Sequence, residues 1–335
     1  MSEVRRRRFL AAAGWLLIAP LVHAQQPGRK FRLGFLLPVA SPIFFDPFTA
    51  AMRQHGWTEG RDFVLETRVT PGYERSAELA RELVALKVDL IVSLGTVNAM
   101  AARDATRTIP IVMFASGYPV EVGLVESYRR PGTNVTGLSS YAGGEVWGKY
   151  LELLGEVRPR LRELAVFWDY APPVWSAKEI DHLVVELRKA ARHMGINLHL
   201  SMVRSEKELV DAIAAATRAS VEALLVTSGG GVHNQPAPGA RIANFILERR
   251  LPAVTDFAGT AFAAMRCVLA YAVPIPELAQ RAASFVNRIL RGARPGELPI
   301  EFPTRFELVV NIKVARQIDL KIPQSIMLRA DRVIE

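Results

Sequence analysis

Two α/β lobes, each doubly wound around an open, largely parallel sheet and joined by a hinge, are the fold class this sequence predicts. Three observations carry that expectation. Short apolar runs alternate with amphipathic stretches of ten residues or more, the pattern of strands crossed over by helices. The round strand–helix–strand–helix–strand–helix–strand occurs twice, with little repetition of exact residues, so the halves share architecture more than sequence. The chain has 335 residues, 50% of them hydrophobic, ample for two cores.

The first round opens with a strand over 31–37, broken by Pro38, and a loop over 39–45. Residues 46–55 read as a helix with Phe48, Ala51 and Met52 on one side, ended by Gly56. A strand over 63–69, a connector over 71–74 and a helix over 75–85 follow. The run Leu90-Ile91-Val92-Ser93-Leu94 is a short buried strand that ends abruptly at Gly95-Thr96. A helix starts there, with Thr96 as its expected N-cap. Residues 109–115 form the fourth strand, 129–134 a turn, and 135–139 a short strand that leaves the first lobe.

The second round runs through a helix over 145–155, a strand over 164–168 and a long helix over 177–194. A strand over 196–202 comes next, then a helix over 206–216 opened by the capping box Ser205 and Glu208. A strand over 223–227 leads into Ser228-Gly229-Gly230-Gly231, then a helix over 240–248 and a strand over 251–256. The tail has a strand over 268–273, a helix over 277–290, an extended piece over 297–302, a strand over 306–310 and a helix over 312–318. It is expected to weave between the lobes and complete both sheets. The lobes are therefore set at 31–138 plus about 272–302, and 139–271 plus about 303–335.

The front end reads as an export signal over 1–24. Arg5 to Arg8 are basic, 9–22 are apolar, and Val22 and Ala24 fit a cleavage site with Gln25 as the mature start. A single membrane anchor is the alternative reading, for which the apolar stretch is short. The run Arg6-Arg7-Arg8-Phe9-Leu10 also resembles the twin-arginine export pattern, so export runs by that route or the general one. A periplasmic location is expected. The formal charge is +9, of which Arg5 to Arg8, less Glu3, supply +3. The remainder is spread along the chain, which argues against a nucleic-acid partner.

No dinucleotide fingerprint follows the first strand, where Gly34 stands alone, and no Walker loop, His-Glu-x-x-His or Gly-x-Ser-x-Gly occurs. The histidines lack ligand-like spacing, so no metal and no cofactor are expected. Only His233 is placed for chemistry, with no nucleophile evident beside it. Cys267 is the sole cysteine and excludes an intramolecular disulfide.

Ligands of open parallel sheets sit beyond the carboxyl ends of the strands. Those ends supply Ser41, Phe44 and Phe45; Thr96; Ser116 and Tyr118; Asp169 and Tyr170; Thr227 and Ser228; and Asp256. Aromatic and small polar residues together suit a small organic molecule with an apolar part and a charged end. The free N–H groups after Thr96 form an anion site, or the turn is an ordinary cap. Asp256 meets a ligand amine or is a solvated loop aspartate. Two adjacent aromatics at 44 and 45 are hard to explain as core alone.

Landmarks spread from Arg32 to Glu335 carry a family resemblance. They include His55-Gly56-Trp57-Thr58-Glu59-Gly60-Arg61-Asp62, Thr108-Ile109-Pro110-Ile111-Val112, Arg130-Pro131-Gly132-Thr133-Asn134-Val135-Thr136-Gly137 and Pro303-Thr304-Arg305-Phe306-Glu307-Leu308-Val309-Val310-Asn311. With these the chain resembles the substrate-binding proteins of ABC transporters, in the tryptophan/tyrosine-binding-like family. The resemblance implies a type I periplasmic-binding-protein fold and a monomer that closes on a small-molecule ligand. It also implies docking on ABC permease subunits with their ATPase, and no catalysis. It further implies a carboxylate-bearing solute, such as an amino acid, held by the Thr96 turn, with an aspartate of the second lobe for its ammonium. Where the family shows Asn-Pro after the strand ending at Trp168, this chain has Asp169-Tyr170-Ala171-Pro172. An enzyme acting on a small metabolite in the same cleft, or a sensory receptor without a permease, are the alternative readings.

Overall fold

A computed structural model describes residues 29–38, 40–70, 74–140, 145–169, 177–227, 232–233 and 235–335. The export-signal and twin-arginine readings, and the candidates Tyr170 and Ser228, lie outside the described residues.

The first sheet is built from β1 (Phe31–Leu37), β2 (Phe63–Val69), β3 (Leu90–Leu94), β4 (Ile111–Ser116) and β5 (Val135–Ser139), in the order β2-β1-β3-β4-β5. All pairings are parallel. β3 is buried at every position because helices cover both faces. On one face lie α2 (Ser76–Ala85) and α3 (Thr96–Ala105), whose Leu79, Leu83, Ala99 and Ala102 join Ile91 and Met113 in one core. On the other lies α1 (Pro42–Gln54), with Phe44, Phe48 and Met52 against Phe35 and Phe114.

The second sheet repeats the same order. β6 (Glu163–Asp169), β7 (Asn197–Val203), β8 (Ala223–Val226), β9 (Ala253–Thr255) and β10 (Leu269–Ala272) lie as β7-β6-β8-β9-β10. They are flanked by α4 (Glu145–Val157), α5 (Ala177–His193), α6 (Glu206–Arg218), α7 (Pro236–Arg249) and α8 (Thr260–Ala264). The long α9 (Ile275–Leu290) then returns to the first lobe. Its Leu278, Ala282, Phe285, Val286 and Ile289 recur at helical spacing and fill the core beside α1 and β1.

The tail departs from expectation. It adds β11 (Glu307–Asn311), antiparallel to β10, and β12 (Arg332–Ile334), both to the second sheet only. The first lobe receives α9 and one isolated bridge, Leu138 to Glu301. The predicted extended piece over 297–302 is reduced to that bridge because Pro295–Glu297 turns as a short 3₁₀ segment. Short helices α10 (Ile312–Gln317) and α11 (Gln324–Arg329) close the chain, the latter unforeseen.

Three predicted helices begin too late. α1, α7 and α9 start at Pro42, Pro236 and Ile275-Pro276, not at 46, 240 and 277. Proline is at home in the first helical turn, where its missing N–H has no intrahelical partner to lose. Read as a loop breaker, it hid the first turn of α1 and α7 and the first two residues of α9. Ser205 caps α6 as expected, accepting from the Glu208 N–H at 3.2 Å. The Glu208 carboxylate reaches back one residue further than a capping box requires, to the Arg204 N–H at 2.7 Å.

Candidate functional site

The β3–α3 turn is bent by Gly95, whose φ of +84° favours glycine. Gly95 occupies the cap position and Thr96 is the first helical residue, which corrects the expected N-cap. The Thr96 hydroxyl is engaged elsewhere. It accepts from the Gly117 N–H at 2.8 Å and sits 3.4 Å from the Gly117 carbonyl. Thr96 therefore fastens the loop after β4, and among the described residues no side chain caps α3. The positive end of the helix is left facing the carboxyl edge of the sheet.

Beneath this turn lies a residue that sequence reading missed. Asn98 is fully buried. Its Nδ2 donates to the carbonyls of Leu36 and Leu94 at 3.3 and 3.2 Å. Its Oδ1 accepts from the hydroxyls of Ser76 and Thr70 at 2.8 and 3.1 Å. One side chain thus ties the ends of β1 and β3, the residue after β2, and the start of α2 to α3. A satisfied buried network of this kind fixes the orientation of the turn. The available signal was a polar residue on the inward face of a short helix.

The β4 edge is strained. The register with β5 shifts between Met113 and Ser116, and Ala115 has φ of +53°. Tyr118 follows at φ of +45°. Left-handed non-glycine residues cost about 1–3 kcal/mol each and cluster where a ligand edge is shaped. The bulge turns Ser116 so that its fully buried Oγ has no hydrogen-bond partner among the described residues.

Phe44 and Phe45 lie on α1, not in a loop. Phe44 is buried, edge-on to Phe114 at 6.1 Å, and Phe45 is half-buried against Phe35 at 5.4 Å. The expectation that this pair exceeds the needs of the core is corrected for Phe44, which is core; Phe45 keeps a partly open side. Ser41 caps α1, accepting from the Ile43 N–H at 3.4 Å.

In the second lobe Asp169, Thr227 and His233 form a buried knot. The Asp169 carboxylate accepts from the backbone N–H groups of Val232 and His233 at 3.2 and 3.1 Å. The Asp169 N–H donates to the Thr227 hydroxyl at 3.1 Å, and His233 Nδ1 lies 2.8 Å from the Thr227 carbonyl. That contact makes Nδ1 the protonated nitrogen. Burial holds the imidazole below its usual pKa, opposed by the nearby Asp169 carboxylate and the Thr227 carbonyl.

An aromatic chain links this lobe to the crossing strands. Trp168 meets Trp147 at 4.8 Å, Trp147 meets Tyr150 at 5.7 Å, and Tyr150 meets Tyr271 at 6.1 Å. Tyr271 then stacks on Phe306 at 5.1 Å. The Tyr150 hydroxyl donates to the Tyr271 carbonyl at 3.0 Å. Burial, and next the Asp256 carboxylate with Tyr271 and Tyr118, push its phenol pKa well up. Val97 and Tyr118 of the first lobe pack on the same cluster. The structure thus brings Thr96, Ser116 and Tyr118 together on one lobe and Asp169 and Thr227 on the other, with Asp256 near Tyr150. Ser41 caps α1, and Phe44 lies in the first lobe's core.

A family profile described as "ABC transporter substrate binding protein" matches residues 48–334. A curated relative, the "Tyrosine-binding protein" of Clostridioides difficile (strain R20291), is 24% identical over 276 residues, 82% of this chain and 76% of its own. Among solved structures, an ABC domain from Streptococcus pneumonia in complex with L-Trp superposes with a TM-score of 0.77 at 21% identity. A conserved domain protein from Vibrio cholerae O1 does so at 0.76 and 23%. Both cover 91% of this chain and 100% of theirs.

Proposed function

This chain belongs to the ABC transporter substrate-binding protein family, and from that premise we propose that it captures an amino acid in the cleft between its lobes. Its fold is of the type I periplasmic-binding-protein kind, with two α/β lobes, and its general role is solute binding for an ABC importer, without catalysis. Proteins of this family typically work outside the cytoplasm and deliver solute to a permease driven by an ATPase. We assign those partners, and an exported periplasmic location, to this chain as well.

The observation that carries the ligand class is the meeting of Val97 and Tyr118 with the Tyr150 cluster, within reach of Asp256. An uncapped helix end lies on one side and a carboxylate on the other. A zwitterion satisfies both. Aromatic rings between them suit an apolar or aromatic side chain. The relatives' tyrosine and L-Trp support that class. The hinge of this reading is the set of three crossings: after β5, between β10 and α9, and before β11.

The reading is tested by thermal unfolding of the mature protein against the L-amino acids. A saturable rise in Tm is expected for at least one of them. Asp256→Asn should weaken that ligand at least about tenfold by leaving its ammonium unpaired. Unchanged affinity in this variant removes the ammonium role. Turnover of a small substrate, with no stabilising amino acid, removes the whole reading.

A further inference from the structure

The carboxyl ends of β8 and β9 carry two buried polar atoms with no hydrogen-bond partner among the described residues. Val226 of β8 is in register with Thr255 of β9, and Leu224 with Ala253. Leu224, Val226 and Ala253 all belong to the core under α6, α7 and α8. Thr255 therefore projects from that same face at the last position of its strand, next to Asp256. It is fully buried, and among the described residues its hydroxyl has no hydrogen-bond partner. His233 lies one strand over, its Nδ1 on the carbonyl of Thr227, the residue after Val226. It is 1% exposed, and its Nε2 likewise has no hydrogen-bond partner among the described residues.

Fold stability does not explain this pair. A buried polar atom without a hydrogen bond is costly, and a valine in place of Thr255 would fit the same space without that cost. The chemistry of the pair is also specific. With Nδ1 protonated, Nε2 is an acceptor only, while the threonine hydroxyl donates and accepts. Together they suit a group that gives a hydrogen bond and can take one.

We propose that His233 Nε2 and Thr255 Oγ1 read a hydrogen-bond donor, a hydroxyl or an N–H, on the side chain of the captured amino acid. This rests on the amino-acid reading above and deepens it. Asp256, the next residue, serves the ammonium. The orphan pair serves the opposite, side-chain end and selects among amino acids by what that end carries. A site built to bond a polar group rejects the analogue that lacks it, because its own buried atoms stay unpaired.

The test is calorimetric titration of the mature protein with two matched pairs, L-tyrosine against L-phenylalanine and L-threonine against L-valine. In at least one pair the hydroxylated member is expected to bind at least about tenfold more tightly. Thr255→Val and His233→Gln should shrink that ratio towards one. Thr255→Val is nearly isosteric and removes an unpaired hydroxyl, so it should fold at least as well as the parent and keeps the test decisive if His233→Gln unfolds. Binding of both members with no preference overturns the proposal and leaves the amino-acid reading intact. So does an equal loss for both members in Thr255→Val. Binding of none of the four, nor of any other amino acid, overturns the amino-acid reading itself.

Discussion

His233 gives the molecule a pH dependence whose sign follows from its burial. The imidazole is held below its usual pKa in the folded protein. The unfolded chain therefore binds the proton first as pH falls. The associated stability is complete above the unfolded value of about 6.5 and is lost as pH drops through it towards the folded value. Tm should fall between pH 7 and pH 5, and His233→Gln should flatten that fall. An unchanged slope in a folded variant would show that other groups set it. The paired carboxylates Glu163, Glu208 and Glu222 are held low by their hydrogen bonds, so their contributions fade only in more acid solution. At this scale the sequence showed which residues stand at strand ends, because apolar runs stop visibly. It did not show how each is used. Thr96 and Gly95 differ by one position in the helix start, which only backbone angles settle. The left-handed Ala115 and Tyr118 are invisible because no glycine or asparagine marks them. Asn98 looked like any polar helical residue until three neighbouring elements closed around it.

Elements were legible where periodicity was long and opaque where a residue had two meanings. Proline in the first turn of α1, α7 and α9 reads equally as a loop and as a helix start. The bulge in β4 depends on Gly137 in β5, with φ of +130°. A Cβ there would stand 2.0 Å from the Met113 carbonyl oxygen. Gly137→Ala should therefore destabilise the protein by about 2–4 kcal/mol, from backbone strain and overpacking together. Chemical denaturation measures this, and a loss below about 0.5 kcal/mol, the range of an ordinary surface change, would mean that the β4–β5 approach is looser than described. The late pieces α8, α11 and β12 span three to six residues, too few for a pattern to emerge from sequence.

The whole molecule was readable as two rounds of one topology, and the strand orders β2-β1-β3-β4-β5 and β7-β6-β8-β9-β10 repeat it. The tail was expected to complete both sheets, and that it adds no strand to the first was not readable, because 297–302 has the pattern of an extended strand. Antiparallel pairing with β10 sends β11 to the second sheet. The outcome is two lobes joined by three crossings, and the proposed capture turns on their relative movement. The chain is convenient for measuring that movement. Its one cysteine, Cys267, is fully buried and its thiol pKa is pushed up by burial and by Asp256, so introduced surface cysteines would react in preference. Glu121, in the loop after β4, and Lys207, at the start of α6, are exposed at the ligand edges of the two lobes. The direct measurement is the distance distribution between spin labels on Glu121→Cys and Lys207→Cys, with and without the amino acid that stabilises the protein. A shift to a shorter, narrower distribution at saturation is predicted. A distribution that saturating ligand leaves unchanged would contradict capture by closure of the lobes.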